Sequence, residues 1–249
     1  MGNLCIGDNT AVARMDFSSV VLYDEHDKKA KQHDEICKLM EKAGSIPSTI
    51  CVQYDAYKNN TTTLANYVVA KPLYSEKRIL PILKSLFTAL VYLHAHGIVH
   101  THIDANNVIM ANNNDDVQLS DFSHAILCCL STTTEDKTTE DKTTKDKCHI
   151  TTPAIHTNEQ LLELSNDVQS YKSDIFGVGC IAYLLMTGKL YVAGEYAANE
   201  DKHSHRSSVG HEFHQFVLNC IHTDPNVRPN ASDALHWTIE HMAQYSYDE

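Results

Sequence analysis

The sequence predicts an α+β chain, with a small strand-rich part ending near Ala70 and a larger helical part after it. Two short apolar segments, Ser48 to Tyr57 and Leu64 to Val69, flank a polar turn at Lys58 to Thr63 and read as paired strands. Beyond Ser75, by contrast, Ile79, Ile82, Leu86, Leu90 and Leu93 recur at helical spacing. Between that helix and the rest lies His94 to Ala125, HAHGIVHTHIDANNVIMANNNDDVQLSDFSHA, where polar groups gather on loops between short apolar strands. Gly97 closes the helix and Asn112 to Asp116 turn the hairpin.

The whole chain sets further bounds. Its 249 residues, 43% apolar and 21% charged, are enough to bury a full core. No apolar run approaches membrane-spanning length and no secretory signal opens the chain. Eight cysteines without a CxxC form neither a disulfide nor a zinc framework, so a reducing cytosol or nucleus is the expected compartment. A net charge of −12 argues against a nucleic-acid partner held through phosphates and leaves a protein as the expected partner.

Taken in order, the chain opens with MGNLCIG. Gly2 and Cys5 are placed as in doubly acylated termini, but Ile6 stands where the myristoylation pattern needs Ser or Thr, and Leu4 to Ile6 read better as the start of a strand. Gly7 to Val12 form a polar hairpin turn, and Val20 to Tyr23 a further strand. From Lys28 to Lys42, Ile36, Leu39 and Met40 mark a helix that ends at Ala43-Gly44. Ala70 to Tyr74 is a connector, Ser75 caps the long helix, and Pro81 is tolerated near its first turn. Thr133 to Lys147 is the thrice-repeated pentapeptide TTEDK, TTEDK, TTKDK, which has no apolar side chain to offset ordering and is expected to be disordered. Gly194 to Gly210 is a polar, His-rich loop, Phe213, Phe216, Val217 and Cys220 mark a helix, and Ala231 to Ala243 are the last one. His203, His205, His211 and His214 have no fixed acidic or thiolate neighbour and make a poor zinc site.

The stretch Ile98-Val99-His100-Thr101-His102-Ile103, then Asn107-Val108-Ile109, then Leu119-Ser120-Asp121-Phe122-Ser123 resembles the catalytic and metal loops of eukaryotic protein kinases. There the pattern runs IVHRDL, four residues to an Asn, a short hairpin, then LSDFG. Ser173 to Gly188 is similar to the family's SDIWSLGCILYELLTG helix, Asp224 to Pro229 to its DPxxRP, and Thr152 to Glu159 to its TPxYxAPE. The resemblance implies a two-lobed protein-kinase-like fold, with residues 1–70 a β-rich N-lobe, 71–249 an α-helical C-lobe, and 131–149 a disordered insertion in the activation segment. It also implies that Asp174 caps its helix and holds the catalytic-loop backbone, that His100 packs beneath Phe122, and that Glu159 and Arg228 form a buried salt bridge.

Against that family pattern the chain is degenerate. His102 stands at the catalytic base, Thr101 at the Arg that grips a phosphorylated loop, Tyr23 at the phosphate-holding Lys, and Ser123 at the last Gly of DFG. Glu35, at the ion-pairing Glu of helix C, then has no cation to meet and is expected to be solvated or bonded to the Tyr23 hydroxyl. Of the glycine-rich loop only Gly7 and, with one residue fewer, Val12 match. Asn107 and Asp121 survive at both magnesium positions. A second register, His102-Ile103-Asp104 as HxD, leaves two residues before Asn107 where the family has four. The resemblance thus implies a pseudokinase that scaffolds or allosterically regulates a protein partner, such as an active kinase. The alternatives are a divergent serine/threonine kinase using His102 or Asp104 as base, or an ATP-binding switch. The residues themselves fix no cofactor; the family implies ATP and magnesium at Gly7, Val12, Asn107 and Asp121.

Overall fold

A computed structural model describes residues 17–53, 62–70, 74–110, 116–128, 167–192 and 209–245, with side chains undescribed at 17–26, 69–70 and 167–170. Helix α1 (Phe17–Ala43), α2 (Leu64–Ala70) and α3 (Glu76–Ala95) lead into strands β1 (Ile98–Val99), β2 (Val108–Met110), β3 (Val117–Leu119) and β4 (Ile126–Leu127). Helices α4 (Asp167–Thr187), α5 (His211–Cys220) and α6 (Ala231–Gln244) complete the described chain. Gly7, Val12, the lipidation pattern, the TTEDK repeats, Glu159 and most of the His-rich loop lie outside the described residues.

The centre of the core is α3. Ile79, Ile82, Leu86, Leu90 and Leu93 are all buried along it, as their spacing predicts, and it packs chiefly against α6 and α4. By length and composition α3 could cross a membrane, contrary to the expectation that no such run exists. Its burial in this fold is that of a core helix. Ser75 precedes α3 in an extended conformation, but its side chain makes no cap hydrogen bond. Gly97 follows the helix at φ 70°, a left-handed turn that favours glycine.

Two antiparallel pairs position the loops. β1 pairs with β4, and β2 with β3 in the register Val108↔Leu119, Ile109↔Gln118, Met110↔Val117. Single bridges extend the β2–β3 pair on both edges, Ile50 beside Leu119 and Thr63 beside Ile109. Backbone bonds reinforce them, from Cys51 N–H to the Leu119 carbonyl at 2.8 Å and from Met110 N–H to Thr62 at 2.9 Å.

The amino-terminal part differs from the sequence expectation. Val20 to Tyr23 lie inside α1, which begins well before Lys28, and Leu64 to Val69 form α2. Of Ser48 to Tyr57, the described residues 48–53 contribute only the bridge at Ile50. β-branched content suggested strands at 20–23 and 64–69, but strand propensity is context-dependent, and 64–69 turns into α2 directly after the Thr63 bridge to β2. In α1 the buried face is His33, Ile36, Cys37 and Met40, at i, i+3, i+4 and i+7, while Leu39 is exposed.

α4 begins at Asp167, so Asp174 lies within the helix and does not cap it as expected. Two glycines let α4 approach its neighbours closely. A Cβ on Gly177 would lie 2.8 Å from Ile103, and one on Gly179 would lie 2.7 Å from Ile221 and 2.8 Å from Cys220. Alanine is the better helix former by about 1 kcal/mol, but overpacking a core costs about 1–3 kcal/mol. Gly179→Ala is therefore expected to lower the urea midpoint and the melting temperature; an unchanged or raised midpoint would show that the α4–α5 contact has room to give.

Candidate functional site

The loop after β1 is built on one carboxylate. Asp174, buried in α4, accepts from the His100 amide at 2.9 Å, the Thr101 amide at 2.8 Å and His94 Nε2 at 2.9 Å. The expected hold on the catalytic-loop backbone is thus present. His94, at the end of α3, is its third donor.

Thr101 adopts φ 63°, a left-handed conformation that is costly for a β-branched residue. Besides the Asp174 bond, its hydroxyl donates to the His124 carbonyl at 2.7 Å. The side chain at the family's loop-gripping Arg position is here turned inward, onto the segment that follows Asp121.

His100 is fully buried and its ring lies edge-on to Phe122, 5.1 Å between centroids. Nε2 donates to the Ser120 carbonyl at 2.9 Å, and Nδ1 accepts from the His102 amide at 3.3 Å. That pattern requires the neutral ring. Burial lowers its pKa, outweighing the pull of Asp174, the Ser120 carbonyl and Asp121.

Asp121 also sits at left-handed φ, 64°, and its Oδ1 accepts from the Ser123 amide at 3.2 Å across a short 3-10 turn, Phe122–His124. Burial raises its pKa, but bonds from the Ser123 side chain and amide, with His100 and His102 nearby, leave it below the usual carboxylate range. Ser123, at the family's last Gly of DFG, thus helps hold Asp121 ionised. Asn107 is buried at the same end of the β2–β3 pair, where its backbone carbonyl accepts from the Ser120 amide and hydroxyl, each at 2.9 Å. The two family metal positions are thereby brought to adjacent loops. An ionised carboxylate and a carboxamide oxygen fit the small protein share of a magnesium site, which is otherwise completed by water and phosphate oxygens. No group of three or more His, Cys, Asp or Glu with metal-site geometry occurs among the described residues.

At the base position, His102 is enclosed by its neighbours. Asn107 Nδ2 lies 2.9 Å from the His102 carbonyl and 3.3 Å from its Nδ1, and Asp104 Oδ2 lies 3.5 Å from Nε2. The His124 ring packs edge-on at 5.0 Å. Asp104, the Asp of the alternative register, is itself engaged, its Oδ1 accepting from the amides of Asn106 at 2.7 Å and Asn107 at 3.1 Å.

Helix α1 grips the metal loop through a residue the sequence reading missed. His33 Nδ1 accepts from the Phe122 amide at 3.1 Å, and Nε2 lies 2.8 Å from the Val52 carbonyl. Gln32 donates to the Ala125 carbonyl at 3.0 Å. Cys37 packs beside His33, and burial pushes its thiol up to about 12, which leaves it protonated and unreactive. Glu35 is exposed, as the solvated reading expects. Tyr23 shares α1 with it, so the two do not face each other from strand and helix. The signal for His33 was its i, i+3, i+4 spacing with Ile36 and Cys37, legible once a histidine is counted as a core residue. Arg228 is buried against Phe176 and donates to the carbonyls of His222 at 2.8 Å and Lys172 at 3.1 Å.

The model of the protein kinase domain matches residues 23–238. The chain is 31% identical over 193 residues to the "Probable myosin light chain kinase" of Dictyostelium discoideum, covering 71% of this chain and 58% of that protein. It is 25% identical over 244 residues to the serine/threonine-protein kinase max-2 of Caenorhabditis elegans, covering 92% of this chain and 34% of that protein. The chain therefore spans little more than half of the first of these relatives and about a third of the second. Among solved structures, the Rad53 kinase domain with SCD2 superposes at TM-score 0.50 with 20% identity, over 72% of this chain and 62% of that one. The fold is the two-lobed protein-kinase fold, helix-rich and with few strands.

His100 supplies a pH test. Its folded pKa is lowered below an ordinary value of 6.5, so on acidification the unfolded chain takes up the proton first. Stability should be level above that value and fall below it, by up to about 1.4 kcal/mol per pH unit. Asp121 acts separately, its contribution being lost only as pH falls below 3.8. Melting followed from pH 8 to 5 should show the fall, to which His124, its pKa also lowered by burial, adds in the same direction, and His100→Asn should reduce the slope; an equal slope in the variant would place the proton uptake elsewhere.

Proposed function

Because the chain belongs to the protein kinase family, we propose that it is a kinase-like domain that does not transfer phosphate and acts as a scaffold or allosteric regulator of a protein partner. The observation that carries this reading is His102. Its two ring nitrogens face Asn107 and Asp104, and its carbonyl is held by Asn107, so the group at the base position is turned into the loop. Phosphoryl transfer depends on positioning and electrostatics, and a base must reach the proton it takes. A neutral imidazole also lacks the charge that would orient a hydroxyl there.

Asn107 and Asp121 would hold magnesium, and Asp121 is ionised across the physiological range. A bound magnesium would offset the charge of nucleotide phosphates. Asp121 and Asn107 would orient it, while Ser123, His33 and Asp174 keep their loops in place. Nucleotide binding without turnover is compatible with this arrangement. A second reading, a divergent serine/threonine kinase, is favoured by Asp104, whose carboxylate stands beside His102 in the manner of a base and its orienting acid.

The deciding experiment pairs labelled-ATP transfer with thermal shift, on the wild type, Asp121→Asn and Asp104→Asn. Expected is no transfer above the Asp121→Asn background to added protein substrates or to the chain itself. Transfer abolished by both substitutions would overturn the scaffold reading in favour of the divergent kinase. A ligand at about 100 times its dissociation constant adds about 2.7 kcal/mol, a shift of several degrees for a chain of this size. A magnesium-dependent shift lost in Asp121→Asn would assign a nucleotide switch, and its absence at millimolar ATP would leave a scaffold alone.

A further inference from the structure

Helices α5 and α6 and the segment of the 3-10 turn Pro225–Val227 line a groove of about 480 Å³. We propose that this groove docks a peptide segment of a partner protein that presents an apolar side chain flanked by lysine or arginine. The inference rests on the scaffold reading for the partner's being a protein, and names the chemistry by which it would be held.

The floor is aromatic and rigid. Trp237 lies parallel to Phe216, with centroids 3.8 Å apart and planes at 2°, and also to His241 at 3.7 Å and 20°. Two rings that close and that parallel cannot share one face of the indole, so both faces are covered and its edge meets the groove. Phe216 is in turn packed edge-on to Phe87 of α3, which ties the floor to the core. On the wall, Val227 is 48% exposed, an apolar side chain left to water. A pre-formed concavity with an uncovered apolar wall suits an apolar anchor, since no rearrangement precedes its burial.

The rim is acidic. Glu212 from α5 and Asp233 from α6 both line the groove with His211, no Lys or Arg lines it among the described residues, and the Lys172 ammonium lies within electrostatic reach of Asp233 alone of the two carboxylates. Each carboxylate is held by a neighbour, Glu212 by His241 at 3.3 Å and Asp233 by Asn230 Nδ2 at 2.7 Å. Their charges are therefore fixed in place, on a chain whose net charge is already −12. Complementarity selects cationic flanks and speeds encounter, and like charge rejects acidic segments.

The test uses the chain's own reporter, because Trp237 is its single tryptophan. The full chain would be titrated with a short leucine–lysine peptide and with a leucine–glutamate peptide of equal length. Expected is a saturable change in tryptophan emission with the lysine peptide, at least about tenfold tighter than with its acidic counterpart. Glu212→Gln with Asp233→Asn should weaken it at least about fivefold, and Val227→Lys should abolish it, with melting temperatures unchanged. No saturable change would overturn the proposal. So would a response indifferent to these substitutions, since general attraction to an anionic chain would survive the loss of two charges. The phosphate-transfer assay separates the two ideas: turnover would end the inactive-scaffold reading without altering the peptide's affinity, and failed peptide binding would leave that reading standing.

Discussion

Burying Asp174 beneath the loop that follows β1 makes sense only because three donors meet it there. An uncompensated carboxylate in a core costs several kcal/mol, whereas one taking two amides and an imidazole is a fixed point on which a loop can be built. Those amides belong to His100 and Thr101, one of which packs under Phe122 and the other of which is held in a strained backbone. Strain of this kind persists only where the surroundings over-determine it. Both left-handed non-glycine residues among the described ones, Thr101 and Asp121, fall in this paired loop system. The loop that resembles the family's catalytic loop is thus firmly built, with Thr101 and His102 at the positions where the family has Arg and Asp.

The carboxy-terminal part was legible because its signals are local. Helix α3 follows from the spacing of five apolar residues, the β2–β3 pair from two short apolar runs around a polar turn, and the role of Asp174 from a family motif. His100 beneath Phe122 came from the same source. The amino-terminal part was not legible in this way. At 20–23 and 64–69 the β-branched and aromatic residues argued for strands, yet both segments are helical, because strand propensity is context-dependent. The one edge position anticipated by that reading is Ile50, which joins β3 by a single bridge.

Within the site, Asn107 and Asp121 were found from the resemblance to the family's loops, whose spacing they keep, and the structure sets them at one end of the same pair of strands. What spacing could not supply was how side chains divide their hydrogen bonds. That Asn107 engages His102, that Asp104 closes on it, and that Thr101 turns inward to His124 are outcomes of packing among residues each of which has several partners to choose from. His33 was missed for a different reason: the apolar pattern of α1 was counted on hydrophobic residues alone, and a histidine on the buried face does not enter that count.

The His33 contact also changes the character of the link between helix α1 and the Asp121 loop. The family's lysine–glutamate pair links helix C to a strand by opposite charge, whereas helix α1 and the Asp121 loop are linked differently. Here His33 bridges the Phe122 amide and the Val52 carbonyl and Gln32 donates to the Ala125 carbonyl, hydrogen bonds made by uncharged side chains. Exposed ion pairs weaken as salt rises, but buried neutral hydrogen bonds are hardly screened. The hold of His33 and Gln32 on this loop is therefore little weakened by ionic strength, in media where a charged latch would loosen.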